Sequence, residues 1–252
     1  MQKEKYNYRY DFIDEGKAVH IIDATGVNLF LLVGSKRGLL IDTGQCKDDL
    51  RSLCDELCSD YDVVNTHGHF DHVVADYQFD KIYVSDNDLP LLKQVYGGSL
   101  GFETESLNDG QLFDLGDRKV KAIALPGHTS GSFGFLDMDR RILYSGDSLM
   151  RNVSLQHIGN LGPLGYRATL VRLLSEYGND FDYAIPAHGH RAFGFRPLEK
   201  EYISKMIDCI DSVDLSRCVV IGSNEFGDIL RFVADGKKYE DYDSVSVEFS
   251  RP

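Results

Sequence analysis

Three imidazoles and a carboxylate crowd into "HGHFDH", residues 67–72. His67 and His69 are two apart, so on an extended chain both face one side. Asp71 and His72 follow after a turn and can face a neighbouring point. One such segment can serve two cations about 3.5–4 Å apart. Each cation needs about four donors, so distant side chains must complete both sets. Imidazoles held this close repel one another if protonated and need partners if buried. Three further donors end apolar runs in the same manner: "KAIALPG" leads to His128, "RILYSG" to Asp147 and "DYAIPA" to His188. Asp147 can bridge, because a carboxylate has two oxygens. A lone histidine at a strand end is ordinarily a satisfied polar residue, and a lone Asp after Gly a turn or cap. Four segments built alike point instead to one metal site. Imidazole and carboxylate donors without thiolate suit zinc, iron or manganese. The expected cofactor is two divalent ions, zinc first, with iron or manganese as alternatives.

The elements that must position these donors are legible as alternating apolar runs. "AVHIID", "VNLFLLVG" and "GLLIDTG" read as strands, the last two forming a hairpin through Gly34 to Gly38. Leu50, Leu53, Cys54, Leu57 and Cys58 make one helical stripe within 48–58. "YDVVNT" and "KIYVS" read as strands, and "DNDLPLLKQVY" as a helix with a capping acid near its start. Residues 97–111 and 151–165 read as irregular loops positioned to govern specificity. "RKVKAIAL" is a strand, and "FGFLDMDRRILYSGD" a strand, turn and strand. "YRATLVRLLSEYG" is a helix, and "DYAIPAHG" a strand entering a loop. "PLEKEYISKMIDCIDSV" is helical, and the tail after 215 reads as strands with a "DGKK" turn. Glycine or proline before the donors lets the chain leave a strand sharply. Such strand-end loops commonly carry ligands.

The 252 residues suit one domain over 1–252: a core of about 18–190 and a helix-plus-strand extension of about 191–252. A net charge of −13 disfavours nucleic acid or an anionic membrane as partner. The expected partner is a small-molecule substrate. Five cysteines without framework spacing read as reduced thiols that pack as small hydrophobes, which suits a cytoplasmic location. No apolar h-region is visible near the start, and no run approaches a membrane span. His157 fits an exposed loop better than a substrate-facing position, His190 fits a place behind the ligands or on the surface equally well, and His20 fits a structural role. Phe70, Tyr144 and Tyr166 could line a pocket, although such rings are ordinarily core.

"THGHFDH", "PGHTSGS", "YSGDS", "PAHG" and "LLIDTG" together resemble the metallo-β-lactamase-fold superfamily, in the expected order over about residues 18–190. The resemblance implies an α+β fold: an αββα four-layer sandwich of two mixed sheets flanked by helices, with metals at one edge. By motif, His67, His69 and His128 hold one ion. Asp71, His72 and His188 hold the other, Asp147 lies between them, and Asp42 supports the site from behind. The Gly-Asp form of the bridging motif looks like the branch with glyoxalase II, lactonases and phosphodiesterases. The strand-like tail departs from the helical C-terminal domain of glyoxalase II. The implied activity is hydrolysis of an ester, thioester or lactone by metal-activated hydroxide, with Asp71 orienting the hydroxide or relaying a proton. The alternatives are a phosphodiesterase for a small phosphodiester and a mononuclear-iron dioxygenase.

Overall fold

The computed structural model describes residues 9–13, 18–22, 26–45, 49–155, 159–188, 197–224, 227–234 and 245–250. The first sheet runs in chain order: β1 (Arg9–Ile13), β2 (Ala18–Ile22), β3 (Asn28–Val33), β4 (Gly38–Ile41), β5 (Tyr61–Val64), β6 (Lys81–Val84) and β7 (Glu103–Ser106). Strands β1 to β4 pair antiparallel, and β4 to β7 parallel. The parallel connections carry α1 (Leu50–Leu57), α2 (Phe70–Val73) and α3 (Leu89–Val95).

The second sheet has β8 (Leu112–Asp114), β9 (Lys119–Ala124), β10 (Phe133–Asp137) and β11 (Ile142–Gly146). After β12 (Asn152–Leu155) and α4 (Gly162–Tyr177), it is completed by β13 (Tyr183–Pro186) and β14 (Leu198–Glu199), in the order β14-β13-β11-β10-β9-β8. Helix α5 (Glu201–Asp211) leads to β15 (Val219–Asn224), β16 (Gly227–Val233) and β17 (Ser246–Ser250). These three strands recruit β12 into a third sheet, β12-β17-β16-β15.

Strand alternation explains the layering. In β3, Phe30 and Leu32 point between the two large sheets, while Leu29 and Leu31 point outward toward α1. Across the interface, Phe133, Phe135, Ile142 and Tyr144 of the second sheet meet Phe30, Leu39 and Ile41 of the first. On the far side, Leu136, Leu143 and Ala184 pack under α4 and α5 through Leu170, Leu173, Ile203 and Met206. The result is helix, sheet, sheet, helix. The extension joins this outer core, since Phe232, Val247 and Phe249 belong to the same buried cluster.

Two expectations need revision. Residues 97–111 are not wholly irregular: β7 pairs with β6, but all four of its side chains are exposed. An edge strand with no buried face leaves no alternation to read. Residues 151–165 likewise contain β12 and the start of α4, which begins at Gly162. Strand β12 is specified by its parallel pairing with β17, far away in sequence. The "DGKK" turn lies outside the described residues, as does Cys46. The other four cysteines are free thiols, and Cys54 is buried in the α1 stripe. Among the described residues, no helix is long and apolar enough to cross a membrane.

Candidate metal centre

Strands β4, β5, β9, β11 and β13 all end at one edge of the sandwich. β4 and β5 are parallel, as are β11 and β13, and β9 reaches β11 through antiparallel β10. Just beyond these C-terminal ends stand Asp42, His67, His128, Asp147 and His188 in turn. The open crevice past the carboxyl ends of such strands is where ligand sites collect. At the end of β11, Gly146 has φ 54°, and a Cβ there would lie 2.6 Å from Thr66. Glycine is therefore required to swing Asp147 into the crevice.

The predicted donors converge. His67, His69 and His128 form one group, Asp71, His72 and His188 another, and His67, His72 and Asp147 a third that joins them; within each, the donor atoms lie within 4.8 Å of one another. Asp147 spans the set: Oδ2 is 3.5 Å from His128 Nε2, while Oδ1 is 3.5 Å from His72 Nε2 and 3.4 Å from His188 Nε2. Asp71 Oδ2 lies 3.2 Å from His188 Nε2. His69 Nδ1 lies 3.0 Å from His128 Nε2. His67, His72, His128 and Asp147 form a buried floor, and His69, Asp71 and His188 a half-buried rim.

Hydrogen bonds behind the donors set which ring atom each offers. Asp42 accepts from the Thr66 backbone N–H at 2.7 Å and from the Thr66 hydroxyl at 2.8 Å. The Thr66 hydroxyl proton is thereby committed, so His67 Nδ1–H, 3.1 Å away, donates to Thr66 Oγ1. His72 Nδ1–H donates to Asp42 Oδ2 at 2.9 Å, and His128 Nδ1–H to the Ser154 carbonyl at 2.7 Å. All three rings turn Nε2 toward the crevice. Such outer hydrogen bonds fix the tautomer of metal-binding histidines. Asp42 holds φ 60°, a conformation costing a non-glycine residue about 1–3 kcal/mol.

A cation fits these residues. His67 Nε2, His72 Nε2 and Asp147 Oδ1 are buried with no hydrogen-bond partner. Buried polar atoms left so are costly, and here they face one point. The electrostatics agree. Burial, reinforced by His72, His128 and His69, holds His67 well below the usual imidazole range. His72 is equally buried, yet Asp147 and Asp42 outweigh desolvation and push it up to about 10. His188 is raised too, Asp147 and Asp71 overcoming its burial. Burial works to raise Asp71, but the His188 hydrogen bond and the His72 charge keep it well below the usual carboxylate range. Asp147 is also lowered, the charges of His72, His188 and His128 overriding desolvation.

The other candidates fall elsewhere. Tyr144 is core, its ring 4.8 Å from that of Phe30, and Tyr166 is buried with its hydroxyl on the Ser148 carbonyl. Phe70 is exposed beside the rim. His157 and His190 lie outside the described residues, as does the side chain of His20. Thr66, Ser154 and Asp88, which contact the donor segments from behind, carry no sequence signal of a site role. A capping acid was expected near the start of α3; Asp88 stands at that position, but its carboxylate makes no cap hydrogen bond. It turns instead toward the donor loops.

Two mixed sheets between helices, with histidines and carboxylates gathered at strand ends, define a metal-dependent hydrolase fold. The chain belongs to the metallo-β-lactamase superfamily: the family model described as "Metallo-beta-lactamase superfamily" matches residues 22–188. It is a hydrolase of that superfamily. It is similar to acyl-coenzyme A thioesterase MBLAC2 of Bos taurus, at 29% identity over 72% of this chain and 80% of the relative. It is also similar to an atrochrysone carboxyl ACP thioesterase of Aspergillus novofumigatus, at 25% identity over 65% of this chain and 49% of that protein. A hydroxyacylglutathione hydrolase of Prochlorococcus marinus matches at 24% identity over 54% and 56%. Among solved structures, the DIM-1 metallo-beta-lactamase superposes with a TM-score of 0.64 at 17% identity, covering 82% of this chain and 99% of that one. That likeness concerns the fold.

Proposed function

We propose that the protein is a dinuclear metal-dependent thioesterase acting on a small-molecule acyl thioester. The observation that carries this reading is Asp147, whose two oxygens face the two donor groups separately. His67, His69 and His128 would hold one ion and Asp71, His72 and His188 the other, with Asp147 shared. Zinc is the first expectation for both. Thioester chemistry is supported by the two relatives named as thioesterases, with a hydroxyacylglutathione hydrolase beside them.

Divalent ions at these donors would supply Lewis acidity toward the carbonyl oxygen and make hydroxide available at neutral pH. The side chains do the rest. The half-buried rim of His69, Asp71 and His188 admits the acyl group. Asp71, held ionised beside His188, orients the attacking water and takes its proton. The water oxygen bonds to the acyl carbon, the carbon–sulfur bond breaks, and sulfur leaves as a thiolate that takes up a proton. The Asp42–His72 and Ser154–His128 hydrogen bonds keep the rings from rotating as charge develops.

The test is metal analysis of the purified protein together with turnover of acyl-coenzyme A, acyl-glutathione, lactone, β-lactam and phosphodiester substrates. About two zinc ions per chain and preferential thioester cleavage are expected. A metal-loaded protein that cleaves phosphodiesters and leaves thioesters intact sinks the reading. So does one iron per chain with oxygen consumption.

A further inference from the structure

Asp88 is fully buried at the start of α3, where an aspartate ordinarily caps its own helix. Its carboxylate makes no such bond. Asp88 Oδ2 accepts from the Gly68 backbone N–H at 2.8 Å and from the Thr129 hydroxyl at 2.7 Å, and Oδ1 accepts from the Gly131 backbone N–H at 2.9 Å. Gly68 sits between His67 and His69. Thr129 and Gly131 follow His128. One side chain therefore joins two loops more than 60 positions apart, at the base of the three-imidazole group.

The glycines give a second, independent sign of this close approach. A Cβ on Gly131 would lie 2.5 Å from Asp88 Oδ1, and a Cβ on Gly68 would lie 2.8 Å from the Asp88 carbonyl oxygen and 2.9 Å from Leu91. The His128 loop is cut away where the carboxylate enters, and the His67–His69 segment where the first turn of α3 approaches. Neither glycine has a positive φ, so close approach, and not backbone conformation, is what requires them.

We propose that Asp88 is a positioning residue that locks the His67–His69 segment to the His128 loop and so sets the spacing of those three imidazoles for one ion. Its hydrogen bonds go to the backbone and hydroxyl groups beside the donor imidazoles. The Asp71–His72–His188 group has no bond to it and depends on Asp42. This inference rests on the metal-centre reading, and its consequence is selective: losing Asp88 weakens one ion site and spares the other.

The experiment titrates the metal-free wild type and Asp88→Asn with Zn2+ against a chromophoric chelator, and with Co2+ followed by its visible absorption. His69→Ala and His188→Ala assign the two binding steps. Asp88→Asn is expected to weaken the His67–His69–His128 step by about 10–100-fold, the usual cost of losing an outer partner. The Co2+ bands of that step should change while the other step keeps its affinity. Thr129→Val removes one of the three bonds and should give a smaller loss at the same step. It carries the test if Asp88→Asn does not fold. Equal weakening of both steps, in parallel with a fall in the unfolding midpoint of the metal-free protein, would overturn the proposal in favour of a general structural role. Unchanged affinities in both variants would overturn it too. If the wild type took up no ion, the metal-centre reading itself would fall, and this inference with it.

Discussion

The His67–His69–His128 group and the Asp71–His72–His188 group share Asp147 but differ in make-up. The first is all imidazole, and His67 is driven toward the neutral form by burial and by neighbouring rings. The second mixes imidazoles with a carboxylate, so His72 and His188 are driven toward the charged form. The second group sets its imidazoles beside the Asp71 carboxylate, while in the first the buried His67 Nε2 has no carboxylate of its own group to face. A cation entering the second group would displace protons, whereas His67 of the first is held toward the neutral form that binds one. The supports differ as well: Thr66 and the Ser154 carbonyl stand behind the first group, Asp42 behind the second. Neighbouring sites built from similar residue types are thus prepared in opposite electrostatic states.

The largest effect should come from removing what the groups share. Asp147→Ala is expected to lower turnover by more than about a hundredfold, exceeding the usual loss for an outer partner. It should also lower bound metal, read by elemental analysis beside steady-state kinetics. Full activity with full metal content would dissolve the idea of a joined pair. Asp42→Asn comes next. It should weaken the Asp71–His72–His188 step by about 10–100-fold, since the amide no longer holds His72 Nδ1–H as a carboxylate does. Metal titration should find the other step less affected, because Thr66 still accepts from His67.

A smaller effect concerns Asp76, buried behind the second group. It accepts from Asn65 at 2.7 Å and lies 2.8 Å from Thr43 Oγ1, and burial pushes it up to about 8 despite those bonds. The Thr43 hydroxyl has one proton and two acceptors nearby, Asp76 and the His72 carbonyl. A protonated Asp76 resolves the shortage by donating to Thr43. The unfolded carboxyl titrates near about 3.9. Between about pH 4 and 8 the folded chain therefore holds a proton that the unfolded chain has lost, and this contribution to stability falls as pH rises. Asp76→Asn should flatten that part of the profile of unfolding midpoint against pH. The smallest effect is expected far from either group. Val220→Ser on exposed β15 should change stability by no more than about 0.5 kcal/mol and leave both metal steps alone. A shift in either step would tie the extension to the site more closely than its packing suggests.

What the chain alone determined is the set of candidate donors and the strands that carry them. Apolar runs such as "YDVVNT" and "DYAIPA" reflect alternation between neighbouring residues, and the histidines at their ends are visible without the fold. The four layers follow from the same local patterns together with the family resemblance. Only the tertiary structure decided which nitrogen each ring presents, because His128 is oriented by a carbonyl 26 positions away and His72 by a carboxylate 30 away. It also decided that Asp88 serves two loops, not its own helix, and that β7 and β12 are strands at all. Each of these depends on partners brought together by folding. A hydrogen bond between distant segments leaves no periodic trace in either one.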